Sequence, residues 1–207
     1  MKAFYQNLND TSALYNQSNS KFYSYIFKVS TLDDIKIKFN YIKKNFSDSS
    51  HICYAYRLYN GMTLLDEINI SDFNTDAGEP RGTAGLPTLN VLKKNNLINS
   101  CIFTVRYFGG KKLGIPGLIK AYTNSAQLVI KNNNLRLWFP QDEIHIKYSY
   151  KIERILNKIF KKYEVAILNQ MFNDEIFSII NLKSTKLNQF INEIKTHTDA
   201  AYKIINK

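Results

Sequence analysis

Two glycine-rich segments decide how this chain of 207 residues folds: DAGEPRGTAGLP at residues 76–87 and RYFGGKKLGIPG at residues 106–117. Each combines glycine, proline and charged side chains, which interrupt regular structure. Apolar residues at helical spacing follow each segment, over residues 88–95 and 118–130, and an apolar run at residues 100–108 reads as a strand. The chain is therefore predicted to contain two glycine-rich loops that each lead into a helix.

The residues before the first loop predict strands and one helix. Thr31, followed by two aspartates, is a suitable N-cap for a helix that reaches about Asn45. Asn60-Gly61 predicts a two-residue hairpin turn. The N-terminal residues are expected to be irregular, and residues 71–87 are expected to form one continuous loop. The predicted strands are residues 21–30, 52–59 and 62–70.

A second pattern begins near residue 142. Its order, β-α-β-β-α-β, is that of a ferredoxin-like domain. A polar segment at residues 131–141 separates the two patterns, so two domains are predicted, residues 1–135 and 141–207. The elements of the second are a strand at 143–148, a helix at 151–162, strands at 164–171 and 175–182, a helix at 185–196 and a strand at 200–205.

Charge and cysteine content limit the partners and the compartment. The 28 Lys and Arg residues exceed the 17 Asp and Glu residues, giving a net charge of +11 that favours polyanions such as nucleic acid. A solvated lysine-rich surface explains the same excess. Cys53 and Cys101 lie in apolar runs, which predicts buried free thiols and a cytoplasmic protein. Neither an export signal nor a membrane span is predicted.

The two loops contain the ingredients of a phosphate-binding site. Glycines permit close backbone approach, a helix begins after each loop, and cations lie nearby. The alternative is that the glycines only permit tight turns and that Glu79 and Arg106 form a structural ion pair. Neither loop matches a nucleotide-binding fingerprint, so no cofactor is predicted. The candidate phosphate-binding residues are Arg81, Arg106, Lys111, Lys112 and Lys120.

Enzymatic chemistry has weaker support in the sequence. Asp76 and Glu79 could form an acid/base pair, although acids in such loops more often cap helices. His51 and Cys53 could act as base and nucleophile, but the sequence favours a buried thiol for Cys53. No cluster has the spacing of zinc ligands, so no metal is predicted. Tyr107 could stack on a nucleic-acid base.

Three motifs in a fixed order give the sequence a family resemblance. HICYAYR at residues 51–57 precedes the two glycine-rich loops, and together they resemble the YigZ/IMPACT family over about residues 19–130. Arg81 and Lys120 are departures that preserve or add positive charge, whereas Ala77 replaces an acid common in the family. The matching residues include His51, Asp76, Gly78, Glu79, Pro80, Gly82, Thr83, Gly85, Arg106, Tyr107, Gly109, Gly110, Lys112 and Gly114.

The resemblance implies an α+β protein. Its N-terminal domain would be an α/β sandwich similar to the second domain of ribosomal protein S5, followed by the small ferredoxin-like domain. It also implies a role in the regulation of translation, and the net positive charge and the loop cations add the expectation that the protein binds RNA or the ribosome. Two alternatives remain open: a hydrolase or peptidase that uses Asp76 and Glu79, and a protein–protein interaction module of translational stress control.

Overall fold

The computed structural model describes residues 3–63, 67–198 and 201–206. The chain divides into two compact units, Met1–Trp138 and Phe139–Lys207. Each unit packs helices against an antiparallel sheet and has its own hydrophobic core. The predicted mixed α and β class is therefore confirmed.

The first unit contains a five-stranded antiparallel sheet in the order β2-β3-β6-β4-β5. Two further strands, β1 and β7, pair with each other. The strands are β1 Phe4–Asn7, β2 Thr11–Gln17, β3 Ser20–Lys28, β4 His51–Met62, β5 Ile68–Thr75, β6 Ser100–Tyr107 and β7 Leu135–Trp138. The helices are α1 Leu32–Asn45, α2 Gly85–Lys94 and α3 Gly114–Lys131.

Helices cover both faces of the five-stranded sheet. Side chains alternate between the two faces of a strand, so neighbouring residues of β6 enter different cores. Phe103 packs in the core beneath α1, whereas Ile102 packs in the core beneath α2 and α3. This alternation explains why β6, buried on both faces, is a continuous apolar run in the sequence.

The predicted start of α1 is confirmed. The Thr31 hydroxyl accepts a hydrogen bond from the Asp34 amide at 3.1 Å, and the Asp34 carboxylate accepts one from the Thr31 amide at 2.9 Å. This reciprocal capping box satisfies two amide groups that the helix cannot bond internally.

Other parts of the predicted first unit are wrong. The N-terminal residues are not irregular, because they form β1 and β2. Residues 71–75 belong to β5, so the loop begins at Asp76. The helices α2 and α3 begin at Gly85 and Gly114, three to four residues before their apolar periodicity starts. The polar segment at residues 131–141 contains β7, which pairs with β1.

The hairpin turn predicted at Asn60-Gly61 is also wrong. Both residues lie within β4, where the pairing with β5 changes register between Tyr59 and Met62. Gly61 has a φ of +85°, which suits an irregularity inside a strand as well as it suits a turn. β4 ends at Met62, and residues 64–66 of the predicted return strand lie outside the described residues.

The second unit has the predicted order of elements. Its sheet is antiparallel in the order β11-β8-β10-β9, and both helices contribute to its core. The predicted first residue of the last strand, Ala200, lies outside the described residues. The elements are β8 Gln141–Tyr148, α4 Glu153–Tyr163, β9 Ala166–Phe172, β10 Ile176–Lys183, α5 Leu187–Thr198 and β11 Tyr202–Asn206.

Candidate functional site

The two glycine-rich loops meet at one end of the five-stranded sheet. The first loop, residues 76–84, follows β5, and the second, residues 108–113, follows β6. In the sheet, Thr75 at the end of β5 pairs with Tyr54 of β4, and His51 at the start of β4 pairs with Arg106 near the end of β6. Antiparallel pairing through β4 therefore brings both loops to the same sheet end.

A buried ion pair joins the first loop to the end of β6, just before the second loop. Arg106 Nη1 lies 2.7 Å from Glu79 Oε1, and the two side chains are 7% and 3% exposed. The Tyr122 hydroxyl of α3 donates to the same Glu79 oxygen at 2.9 Å. The structural ion pair considered as an alternative is thus present, and Arg106 is unavailable to an external phosphate in this conformation.

Asp76 organises the first loop from within. Its Oδ1 accepts hydrogen bonds from the amides of Ala84 and Gly85, and its Oδ2 accepts one from Gly82. Burial raises the pKa of Asp76, but the three amides and the nearby Arg81 charge outweigh it, so the net pKa lies below its ordinary value. The carboxylate thereby occupies the anion-binding amides at the start of α2.

The bonding of Asp76 predicts a loss of stability in Asp76→Asn. An amide offers one acceptor oxygen, and its NH₂ group would face backbone donors, so we expect a loss of about 1–3 kcal/mol in the free energy of unfolding at pH 7. Because the folded pKa is lowered, the carboxylate stabilises the fold above its unfolded pKa. That contribution disappears as the pH falls through the folded pKa. Urea denaturation at pH 7 and in acid measures both effects.

The matched control for this prediction is Asp33→Asn. Asp33 lies at the exposed start of α1, and its ion-pair partner among the described residues is Lys36. We expect little change there, because exposed ion pairs contribute little. Equal losses in the two variants at pH 7 would contradict the role of Asp76.

His51 and Cys53 both bond to the first loop rather than to each other. His51 Nδ1 lies 3.0 Å from the Ala77 carbonyl, and since a carbonyl only accepts, Nδ1 carries the hydrogen. The Cys53 thiol donates to the Asp76 carbonyl at 2.9 Å. Burial, followed by the charges of Glu79 and Asp76, raises the pKa of Cys53 to about 12, which leaves a protonated thiol at neutral pH. Both cysteines are buried free thiols, as predicted.

The remaining motif residues shape the two loops. Thr83 bonds the Pro80 carbonyl through its amide and its hydroxyl. A Cβ on Gly85 would lie 2.6 Å from the Thr75 backbone, so α2 starts in close contact with β5. The Tyr107 hydroxyl donates to Asp48 at 2.7 Å, which holds this ring against residues after α1. The loop glycines with positive φ are Gly78, Gly82, Gly110 and Gly114.

Exposed cations lie in the two loops and on the helices that follow them. Within the described part of the chain, five cationic side chains here have no carboxylate within ion-pair distance; we call them the cation surface. Other lysines do pair, such as Lys36 with Asp33 and Lys93 with Asp72. Lys94, which lies outside the sequence motifs, lines a groove of ≈ 360 Å³ between α2 and α3. The cation surface comprises Arg81, Lys94, Lys111, Lys112 and Lys120.

None of the helices in residues 3–63, 67–198 and 201–206 is long and apolar enough to span a membrane. In the same residues, no group of three or more His, Cys, Asp or Glu side chains is arranged to hold a metal ion.

Comparison with known proteins assigns the chain to a family. Residues 18–130 match the family described as the Impact N-terminal domain, and this range includes both loops and the buried ion pair. The match covers more than half of the chain, so the protein belongs to the IMPACT family. The resemblance inferred from the motifs is confirmed.

Relatives extend the similarity beyond that domain. An IMPACT family member of Haemophilus influenzae is 29% identical over 84% of this chain and 82% of its own length. The IMPACT family member YvyE of Bacillus subtilis is 42% identical over 51% of this chain and 46% of its own. A crystal structure described as a hypothetical protein has a TM-score of 0.63 at 19% identity, covers 100% of this chain and 98% of its own, and therefore shows a shared fold.

Proposed function

We propose that this protein is a translation-associated regulatory protein that binds RNA, free or in the ribosome, through the cation surface. The observation that carries the proposal is the group of five exposed cations in the two loops and on the helices that follow them, none of which has a carboxylate partner in the described chain. Unpaired surface cations repel one another, and a polyanion relieves that repulsion while it releases counterions. The chain's net charge of +11 supports the same class of partner.

The second loop is the stronger phosphate candidate of the two. In the first loop, Asp76 already occupies the amides at the start of α2. The first turn of α3 has no acidic residue and no side-chain cap, and Lys111 and Lys112 directly precede it. A phosphate there would meet two mobile point charges and the positive end of the helix dipole.

The proposal includes a finer description of both domains. For the first, residues 1–135, we propose an α/β sandwich like the second domain of ribosomal protein S5. For the second, residues 141–207, we propose a ferredoxin-like domain. The β-α-β-β-α-β order and the antiparallel sheet order β11-β8-β10-β9 support the latter.

The hydrolase alternative lacks support in the geometry. The Asp76 carboxylate accepts three backbone amides, and the Glu79 carboxylate is buried against Arg106 and Tyr122. The Cys53 thiol, with a pKa of about 12, is protonated at neutral pH. All three side chains therefore stabilise the loops rather than face a substrate.

A salt series of RNA binding tests the proposal. We expect the wild-type protein to bind single-stranded RNA with an affinity that falls steeply with salt. Lys112→Ala should weaken binding at every sequence and reduce the slope of log K against log salt by about 0.7, the value for one lost phosphate contact. Fluorescence anisotropy with labelled RNA at several salt concentrations measures both quantities.

Lys36→Ala is the matched control for Lys112→Ala. It removes the same charge from an exposed lysine on α1, and that lysine is already paired with Asp33. The two variants should differ in salt slope. Identical behaviour, or binding that does not respond to salt, would contradict the proposal and favour a protein partner.

A further inference from the structure

An open groove with aromatic walls runs beside α1, on the sheet face opposite α2 and α3. Its volume is ≈ 530 Å³, within the range of small-molecule sites. We call it the aromatic groove, and its aromatic side chains come from α1, β4, β5 and the residue after α1. They are Phe39, Phe46, Tyr54 and Phe73.

One aromatic ring of the groove is held in place by its neighbours, and another is exposed to solvent. Tyr54 contacts Phe39 and Phe73 with ring centroids 5.8 and 5.6 Å apart, so packing on both sides holds its ring in place. Phe73 stacks on Tyr56 at 5.2 Å, yet it is 40% exposed because β5 is an edge strand. An exposed, pre-oriented ring offers a stacking surface at little cost in conformational entropy.

The polar groups of the groove suit a nucleotide. No Asp or Glu lines it, and its lining includes the exposed Lys43 in the last turn of α1. His51 also lines it, with Nδ1 committed to the Ala77 carbonyl, which makes Nε2 the acceptor of the neutral ring. A base can stack on the rings and donate an amino or imino hydrogen, while its phosphate meets the lysine.

The first loop contributes residues both to the aromatic groove and to the groove between α2 and α3 that Lys94 of the cation surface lines. Ala77 lines the aromatic groove, and Gly82 lines the groove between α2 and α3. Ala77 and Gly82 are five positions apart in the chain, so their Cα atoms lie at most about 18 Å apart. A single extended strand of RNA can therefore reach both grooves.

We propose that the aromatic groove holds one unstacked base of a single-stranded RNA, with the adjoining phosphate on Lys43. This inference rests on the proposed function and adds to it a binding site for a base, the aromatic groove. The cation surface recognises the backbone of the RNA, and the aromatic groove recognises single-strandedness, since a base paired in a helix cannot enter it.

Comparison of two oligomers tests the inference. One is a short oligouridylate, and the other is a ribose-phosphate oligomer of the same length without bases. We expect the wild-type protein to bind the oligouridylate roughly tenfold more tightly, as one stacked base allows. Phe73→Ala should bind the two oligomers alike, and Phe73→Tyr, which keeps the ring, should retain the preference.

The outcomes separate this inference from the proposed function. Phe172→Ala is the control, because it removes a 58% exposed phenylalanine from β9 in the second unit. If Phe73→Ala keeps the wild-type preference while Lys112→Ala still lowers the salt slope, the groove assignment is wrong and the RNA-binding function stands. If the wild-type protein binds neither oligomer, both are wrong.

Discussion

Glu79→Ala is expected to lower the free energy of unfolding by about 3–5 kcal/mol, the cost of leaving a buried charge without its partner. The variant keeps the Arg106 guanidinium in the interior, where its side chain is 7% exposed, and removes its counter-charge. The Tyr122 hydroxyl also loses the acceptor that lies 2.9 Å away. Chemical denaturation of the full chain, with fluorescence and circular dichroism as probes, measures the loss.

A double variant distinguishes the buried charge from simple loss of packing. Glu79→Gln combined with Arg106→Met removes both charges and keeps an amide oxygen for Tyr122, so it should recover most of the stability lost in Glu79→Ala. Glu175→Ala, which breaks the exposed pair with Lys147, should change little. An unchanged denaturation midpoint for Glu79→Ala would contradict the structural role of the pair.

Because the Glu79–Arg106 ion pair stabilises the loops, a substitution at Arg106 changes stability as well as RNA binding. A variant of Arg106 would lose RNA affinity merely because the loops that position the cation surface unfold. Lys112 is exposed and without an ion pair in the described chain, so its loss reports on binding alone. For this reason Lys112, rather than Arg106, is the residue that tests the proposed function.

Local chemistry made some elements predictable. The Thr31 cap lies three residues before its reciprocal partner Asp34, so the start of α1 could be located from adjacent residues alone. Asn60-Gly61 has equally strong turn chemistry, yet β5 pairs with β4 up to Tyr59 and again at Met62, which keeps β4 extended through these two residues. Tertiary pairing determined the outcome there, and no local pattern carries that information.

The candidate site was likewise predictable from the sequence only in part. The two loops were identifiable because glycine and proline interrupt periodicity, but the burial of Glu79 and Arg106 depends on sheet pairing between distant segments. The position of Lys94 could have been inferred from the sequence, because Leu86, Asn90 and Lys94 follow one another at intervals of four residues. All three are exposed on α2 and line one groove, so helical spacing from the loop onward would have selected it.

Gly109→Ala is expected to destabilise the fold by about 3 kcal/mol or more, because the added methyl group meets backbone atoms that cannot rotate away. A Cβ at Gly109 would overlap the backbone of Asn19 and Ser20 in the turn between β2 and β3. The neighbouring Gly110 separates this effect from backbone strain: it has a φ of +82° but open space around it, so Gly110→Ala should cost only about 1–2 kcal/mol. Urea denaturation of both variants tests the difference. Equal losses would mean that backbone conformation, rather than contact with the β2–β3 turn, explains the glycine at position 109.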